Sequence, residues 1–242
     1  MYQLYFYSRY SLKNLPIYKL SSRNFETRSK IKLIIWDLDG VILDNELLHI
    51  KAEIETLRYY GIPLTHSIAM EYLGVKLDAY FKDIIRRYQK DIPVQEVINK
   101  HFRTLIHYYK EVFPSSPHIK EVLAELRSNY TMAIATNRER DLVKIAHNRF
   151  SLINYFKLII CGEDVKTGKP DPEIFIDVST KLRINPHLAV VVEDSETGFK
   201  SAKKAGMCVI ARKAKHNQNI DFSLADFIVD DLKEIPIILK RI

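Results

Sequence analysis

Two carboxylates two positions apart, Asp37 and Asp39, close the short apolar run Lys32-Leu33-Ile34-Ile35-Trp36. A carboxylate at the end of a buried strand stands at the lip of a crevice, and Gly40 lets the backbone turn so that both acids can border it. Three more segments of suitable chemistry follow in order. Ala135-Thr136-Asn137 offers a hydroxyl, an amide and backbone N–H groups of the kind that hold phosphate oxygens. Gly168-Lys169-Pro170-Asp171-Pro172 sets a lysine between residues that break regular structure. Val191-Val192-Glu193-Asp194-Ser195 ends another apolar run in two acids, with Gly198 close behind. Singly, each segment has an ordinary explanation: a solvated turn, a strand-end cap, a surface lysine, the start of a helix. Together they suit the handling of a phosphorylated ligand.

These residues need a frame that brings strand ends to one edge. Apolar runs at 32–37, 130–136, 157–161, 188–193 and 207–211, with a weaker one at 226–229, have the continuous pattern of buried parallel strands. Helical patterns alternate with them. Over Pro117 to Ser128 the apolar residues Ile119, Val122, Leu123 and Leu126 recur at helical spacing, and Ser115 or Ser116 is placed to cap. Similar patterns cover 171–182 and 195–205, the latter closed by Gly206. Alternation of this kind predicts an α/β fold with a Rossmann-like parallel sheet covered on both faces. Residues 45–113 interrupt it with helical segments separated by Gly61-Ile62-Pro63, Leu73-Gly74-Val75 and Asp91-Ile92-Pro93, which predicts an inserted all-helical cap. The expected organisation is a basic extension over 1–30, a core over 31–44 and 114–242, and the cap over 45–113.

At this point the chain resembles the haloacid dehalogenase superfamily, whose four motifs match Asp37 to Gly40, Thr136-Asn137, Lys169 and Glu193-Asp194. The likeness runs over about residues 31–230, and the position of the insert is that of the branch with a small helical cap. The resemblance implies a Mg²⁺-dependent phosphohydrolase. Asp37 would be the nucleophile that forms an aspartyl-phosphate, and Asp39 the acid and base of the two half-reactions. Mg²⁺ would be held by Asp37, the Asp39 backbone carbonyl and Asp194, with Glu193 supporting that shell. Lys169, Thr136 and Asn137 would hold the phosphoryl group. An acid two residues after the nucleophile speaks against dehalogenase and phosphonatase chemistry.

In such an architecture the cap selects the substrate. His49 matches a histidine of the β-phosphoglucomutase branch, whereas Asn45 stands where the mutase has a hydroxyl residue. Gly74-Val75-Lys76 resembles the cap's specificity loop, with Lys76 as a possible anion contact. Arg86 and Arg87 read either as solvated helix residues or as an anion-binding face; Arg138 and Arg140 are better placed to steer an anion. The expected substrate is a small phosphorylated metabolite, a sugar or sugar-acid phosphate. The alternatives are a phosphosugar mutase, or a silent binding protein that uses its basic tail.

The chain has 242 residues and a formal charge of +7. Residues 1–36 hold seven bases against Glu26, leaving +6 there and +1 for the rest, so the charge belongs to the tail and no nucleic-acid partner is expected. That tail has the composition of a transit peptide without the apolar centre of a secretory signal, so organelle targeting stands beside a plain extension of a cytoplasmic protein. No apolar run suggests a membrane span. Cys161 and Cys208, far apart in apolar segments, read as reduced core residues, and most of the eight histidines as surface or capping residues. A monomer is expected.

Overall fold

Every side chain of Leu33–Trp36 is buried, which is what a strand with both faces covered requires of a continuous apolar run. In the computed structural model, which describes residues 30–72, 77–112, 114–151 and 154–242, this segment is strand β1 of a six-stranded parallel sheet. The others are β2 (Thr131–Ala135), β3 (Leu158–Ile160), β4 (Ala189–Glu193), β5 (Cys208–Arg212) and β6 (Phe227–Val229). Their spatial order is β3-β2-β1-β4-β5-β6. Because the chain leaves β1 for β2 on one side and later returns to β4 on the other, the carboxyl ends of β1, β2 and β4 frame a crevice at the switch point.

The pleat of β1 sorts its side chains onto two faces. Ile34 and Trp36 join a core with Ile119, Val122, Leu123, Leu142 and Ile235; these come from helices α5 (Ile119–Leu126), α6 (Arg140–Phe150) and α9 (Ile235–Leu239). Leu33 and Ile35 join a second core with Ile174, Phe175 and Phe199 from α7 (Glu173–Leu182) and α8 (Glu196–Lys204). Ser195 caps α8 by accepting from the Gly198 N–H at 3.1 Å, and Gly206 closes it in the left-handed region at φ 77°. The cap expected for α5 is different. That helix begins after His118, which sits at φ 60° and makes no side-chain cap bond, while Ser116 is buried and accepts from the Arg212 guanidinium at 2.7 Å. Ser116 is drawn off by a buried cation that has to be satisfied.

Between β1 and α5 the chain forms α1 (Glu46–Tyr59), α2 (His66–Met70), α3 (Leu77–Arg87) and α4 (Val94–Glu111). On α3 the buried residues are Tyr80, Phe81, Ile84 and Ile85, and on α4 they are Val97, His101, Thr104, Leu105 and Tyr109. Both sets follow helical spacing, and α1, α3 and α4 enclose a core of their own with Leu57, Ile62 and Leu64. Ala52, Leu105 and Tyr109 instead pack into the core beneath the sheet, so α1 and α4 reach down to the strand ends. Cys161 and Cys208 are free, Cys161 buried and Cys208 partly so. Residues 1–29 and the predicted specificity loop with Lys76 lie outside the described residues. No described helix is long and apolar enough to cross a membrane.

Candidate active site

A cleft of about 390 Å³ opens at the carboxyl ends of β1, β2 and β4, below α1, α3 and α4. Its lining includes Asp37, Asp39, Asn45, His49, Thr136, Asn137, Lys169, Glu193 and Asp194, so the four sequence motifs and the cap histidine meet in one place.

Asp37 follows β1, and its amide donates to Val192 O of β4 at 2.9 Å. Lys169 Nζ, with a side chain only 3% exposed, donates to Asp37 Oδ1 at 2.5 Å, to Glu193 Oε1 at 2.7 Å and to Ala135 O at 2.8 Å. All three ammonium protons are used, and burial, which would lower its pKa, is outweighed by the two carboxylates that raise it. Glu193 Oε2 accepts from the Asp194 and Ser195 amides and from Ser195 Oγ, so both oxygens of this buried acid hold the strand end and the lysine in place. A Cβ on Gly198 would come within 1.9 Å of Glu193 Cδ, which is why α8 carries a glycine there.

Asp194 turns back toward the first motif. A Cβ on Gly40 would lie 1.8 Å from Asp194 Oδ2, and Gly40 itself sits at φ 75°, so glycine is required on two counts. The same oxygen is 2.7 Å from His216 Nε2, on the turn after β5, while Asn217 Nδ2 donates to Asp194 O and Arg212 O at 2.8 Å each. Arg212, buried at the end of β5, donates to Gly40 O, pinning the turn that follows the nucleophile position. Burial is the largest influence on both acids. It pushes Asp37 up against the pull of Lys169, with Glu193, Asp194 and Asp39 adding to the rise. It pushes Asp194 up to about 6 against the pull of His216. Four carboxylates share this floor with Lys169 and Arg138 as the described cations that line it.

Asp39 is held by a separate network. Arg138 Nε donates to Asp39 Oδ2 at 2.8 Å, and Asn45 Nδ2 and, at 3.4 Å, the Tyr109 hydroxyl donate to Oδ1. His49 Nε2 lies 3.1 Å from the Tyr109 hydroxyl and 3.3 Å from Arg138. Burial alone would raise the Asp39 pKa; Arg138 and His49 together take it well below the usual carboxylate range. His49 is kept neutral, by burial first and by Arg138 next. The acid is thus held ionised in this arrangement.

Thr136 is buried, and its Oγ1 accepts from the Arg138 amide at 3.1 Å. Both ends of the Asn137 amide are spent on Lys169: Oδ1 accepts from Lys169 N at 3.0 Å and Nδ2 donates to Lys169 O at 3.3 Å. Its side chain therefore fastens the lysine loop to the end of β2. Arg86 and Arg87 are exposed and paired with Asp83 and Glu71, away from the cleft. Arg140 pairs with Asp164 outside it as well. Of the eight histidines, His66, His107, His118 and His187 are exposed, whereas His49 and His101 line the cleft and His216 borders its floor, because folding places α1, α4 and the turn after β5 there. Tyr109, His101 and His216 were not singled out from sequence. The first two could have been, since they fall on the buried stripe of α4. His216 carries no such signal.

The family model for haloacid dehalogenase-like hydrolases matches residues 34–212, and the chain belongs to that family. It is 29% identical over 187 residues to a phosphorylated carbohydrates phosphatase of Thermotoga maritima, covering 73% of this chain and 82% of that protein. It is 26% identical over 213 residues to hexitol phosphatase B of Escherichia coli K12, covering 86% and 96%. Among solved structures, a putative β-phosphoglucomutase from Thermotoga maritima superposes with a TM-score of 0.75 at 26% identity, over 88% of this chain and all of that one.

Proposed function

We propose that this enzyme is a Mg²⁺-dependent phosphatase of small phosphomonoesters, sugar or sugar-acid phosphates, that works through a phosphorylated Asp37. The observation that carries the proposal is the convergence of Asp37, Lys169, Asp194 and Asp39 on one cleft. Relatives named as carbohydrate and hexitol phosphatases support the substrate type.

The donors suit a hard divalent cation. The proposed set is two carboxylates, Asp37 and Asp194, and the Asp39 main-chain carbonyl, with no softer ligand. Among the described residues no three His, Cys, Asp or Glu side chains gather as a metal centre, so a protein carbonyl and solvent would complete the shell, as Mg²⁺ commonly accepts. Burial first, and the neighbouring carboxylates after it, raise the Asp37 and Asp194 pKa values, and a cation beside them would favour the ionised forms. Bound there, Mg²⁺ supplies the positive charge that lets a carboxylate approach a phosphate dianion.

Asp37 attacks phosphorus, the ester oxygen leaves as the alcohol with a proton, and water then cleaves the acyl phosphate to return the carboxylate. Lys169 keeps Asp37 oriented and adds positive charge beside it, Glu193 and Asn137 hold Lys169, and Thr136 stands at the phosphoryl end. Asp39 acts on protons. Its contact with Arg138 favours the base form that deprotonates water; delivering a proton to the leaving oxygen requires that contact to loosen when substrate is bound.

Incubation with a panel of phosphomonoesters tests the proposal: inorganic phosphate appears in the presence of Mg²⁺ and not with Asp37→Asn. The likeness to a putative β-phosphoglucomutase makes isomerisation the second reading. Conversion of a hexose phosphate to its isomer in the presence of the bisphosphate, with negligible free phosphate, would establish it instead.

A further inference from the structure

Tyr109 is buried near the end of α4 and does not line the cleft, so it has no place among the groups that touch a substrate. Its ring packs in the core beneath the sheet and meets the His49 ring edge to face, with the ring centres 6.1 Å apart. Its hydroxyl reaches the acid and base of the proposed reaction. The phenol oxygen lies 3.4 Å from Asp39 Oδ1 and 3.1 Å from His49 Nε2, and Asn45 Nδ2 donates to it. A buried hydroxyl placed among three polar groups is held there for what it does to them, because burying it unpaired would cost free energy.

The donor and acceptor inventory sets the direction of the bonds in this group. A guanidinium and a side-chain amide nitrogen can only donate. Arg138 Nη2 and Asn45 Nδ2 each lie 3.3 Å from His49 Nε2, so that ring nitrogen accepts and the proton of the neutral imidazole is on Nδ1. Asn45 Nδ2 donates to Asp39 Oδ1 as well as to the phenol oxygen. The hydroxyl proton of Tyr109 then has Asp39 Oδ1 and His49 Nε2 as its acceptors. Turned by half a rotation, the Asn45 amide would set its oxygen against both of them, acceptor against acceptor. Asp39 is thus held from two sides: Oδ2 by Arg138 of the core at 2.8 Å, and Oδ1 by Asn45 and Tyr109 of the cap.

We infer that Tyr109 is a positioning residue for Asp39: anchored by its ring in the core, its hydroxyl holds Asn45 and Oδ1 so that the carboxylate keeps one direction when Arg138 lets go of Oδ2. The inference rests on the phosphatase reading, with Asp39 as its acid, and adds to it a residue that acts without touching the substrate. The step concerned is the first transfer, in which the P–O ester bond breaks, Asp37 bonds to phosphorus, and the leaving oxygen takes a proton from Asp39. A carboxyl group free to turn about its last bond spends much of its time misdirected, and small errors of placement are costly in proton transfer. Phenylalanine at 109 keeps the ring and its packing and removes only the hydroxyl.

The test measures kcat/KM of the full chain with Mg²⁺, a quantity that reports the first transfer, for two esters. One is a hexitol monophosphate, whose leaving oxygen needs a proton; the other is dinitrophenyl phosphate, whose leaving group departs without one. Tyr109→Phe should lower kcat/KM about tenfold or more for the hexitol ester and less than about threefold for the dinitrophenyl ester. The ratio of the two values on one preparation does not depend on how much of the variant is folded, and a purely structural role would leave it unchanged. Asn45→Ala, at a position that makes no helix-capping bond, removes the amide donors and should move the ratio in the same direction; it carries the test if Tyr109→Phe does not fold. The double variant should lose little more than the worse single one, because both substitutions act through the same carboxyl oxygen. A ratio within about twofold of the parent's overturns the inference, as do losses that multiply in the double variant. Phosphate release from neither ester by the parent enzyme overturns the phosphatase reading, and the inference falls with it.

Discussion

Replacing Lys169 by methionine is the perturbation whose size the structure sets most clearly. The ammonium is buried against Asp37 at 2.5 Å and Glu193 at 2.7 Å, with side chains 11% and 1% exposed, and methionine fills its volume without its charge. Removing one member of a buried ionic cluster leaves the others uncompensated and typically costs about 3–5 kcal/mol. That loss has a definite pH dependence. Without the lysine, Asp37 loses the pull that opposes burial, so its folded pKa, already raised, lies further above an unfolded value of about 4. A group of that kind causes no loss below its unfolded pKa and the full loss once pH passes its folded pKa. Urea unfolding of parent and Lys169→Met, both in a chelator, should therefore show a stability gap that is small near pH 5 and larger by a few kcal/mol near pH 8. A gap of less than about 1 kcal/mol at pH 8, or one that does not change with pH, would refute the placement of Lys169 as the buried counter-charge.

Gly40→Ala places a Cβ within 1.8 Å of Asp194 Oδ2 at a φ of 75°, so it should cost about 1–3 kcal/mol of stability and remove most of the rise in melting temperature that Mg²⁺ gives the parent. A parent-like Mg²⁺ shift in that variant would contradict the proposed metal position. For His101, burial lowers the pKa from 6.5 to about 3, so the folded state resists the proton that the unfolded chain takes up below pH 6.5. Stability from this residue is complete above pH 6.5 and falls with pH by about 1.4 kcal/mol per unit, roughly 2 kcal/mol by pH 5. His101→Gln should flatten the stability curve by that amount between pH 7 and pH 5; an unchanged slope contradicts a buried neutral imidazole.

The parallel sheet was legible because its strands are continuous apolar runs, and the helices because their apolar residues recur at one spacing, as in Ile119, Val122, Leu123 and Leu126. The residues at the strand ends were legible for a related reason: Asp37, Thr136 and Asp194 each directly follow a strand, so topology brings them to one edge, whereas Lys169 lies nine residues beyond β3 and is fastened there by Asn137. What sequence left open is whatever depends on side-chain direction. Arg138 and Arg140 are two positions apart at the start of α6, yet one pairs with Asp39 in the cleft and the other with Asp164 outside it. Ser116 had the chemistry of a helix cap, but Arg212, ninety-six positions away, claims its hydroxyl. His216 approaches Asp194 only because the turn after β5 folds over the floor, anchored by Asn217. Long-range pairings of this kind have no local pattern to announce them.

The most direct test of the chemistry is to quench the enzyme in acid during turnover of a labelled phosphomonoester and map any covalent phosphate. The label should appear on the peptide that contains Asp37, require Mg²⁺, and be absent from a folded Asp37→Asn variant. Rapid phosphate release with no label on the enzyme, and comparable release by Asp37→Asn, would mean that water attacks the ester directly and that Asp37 is not the nucleophile.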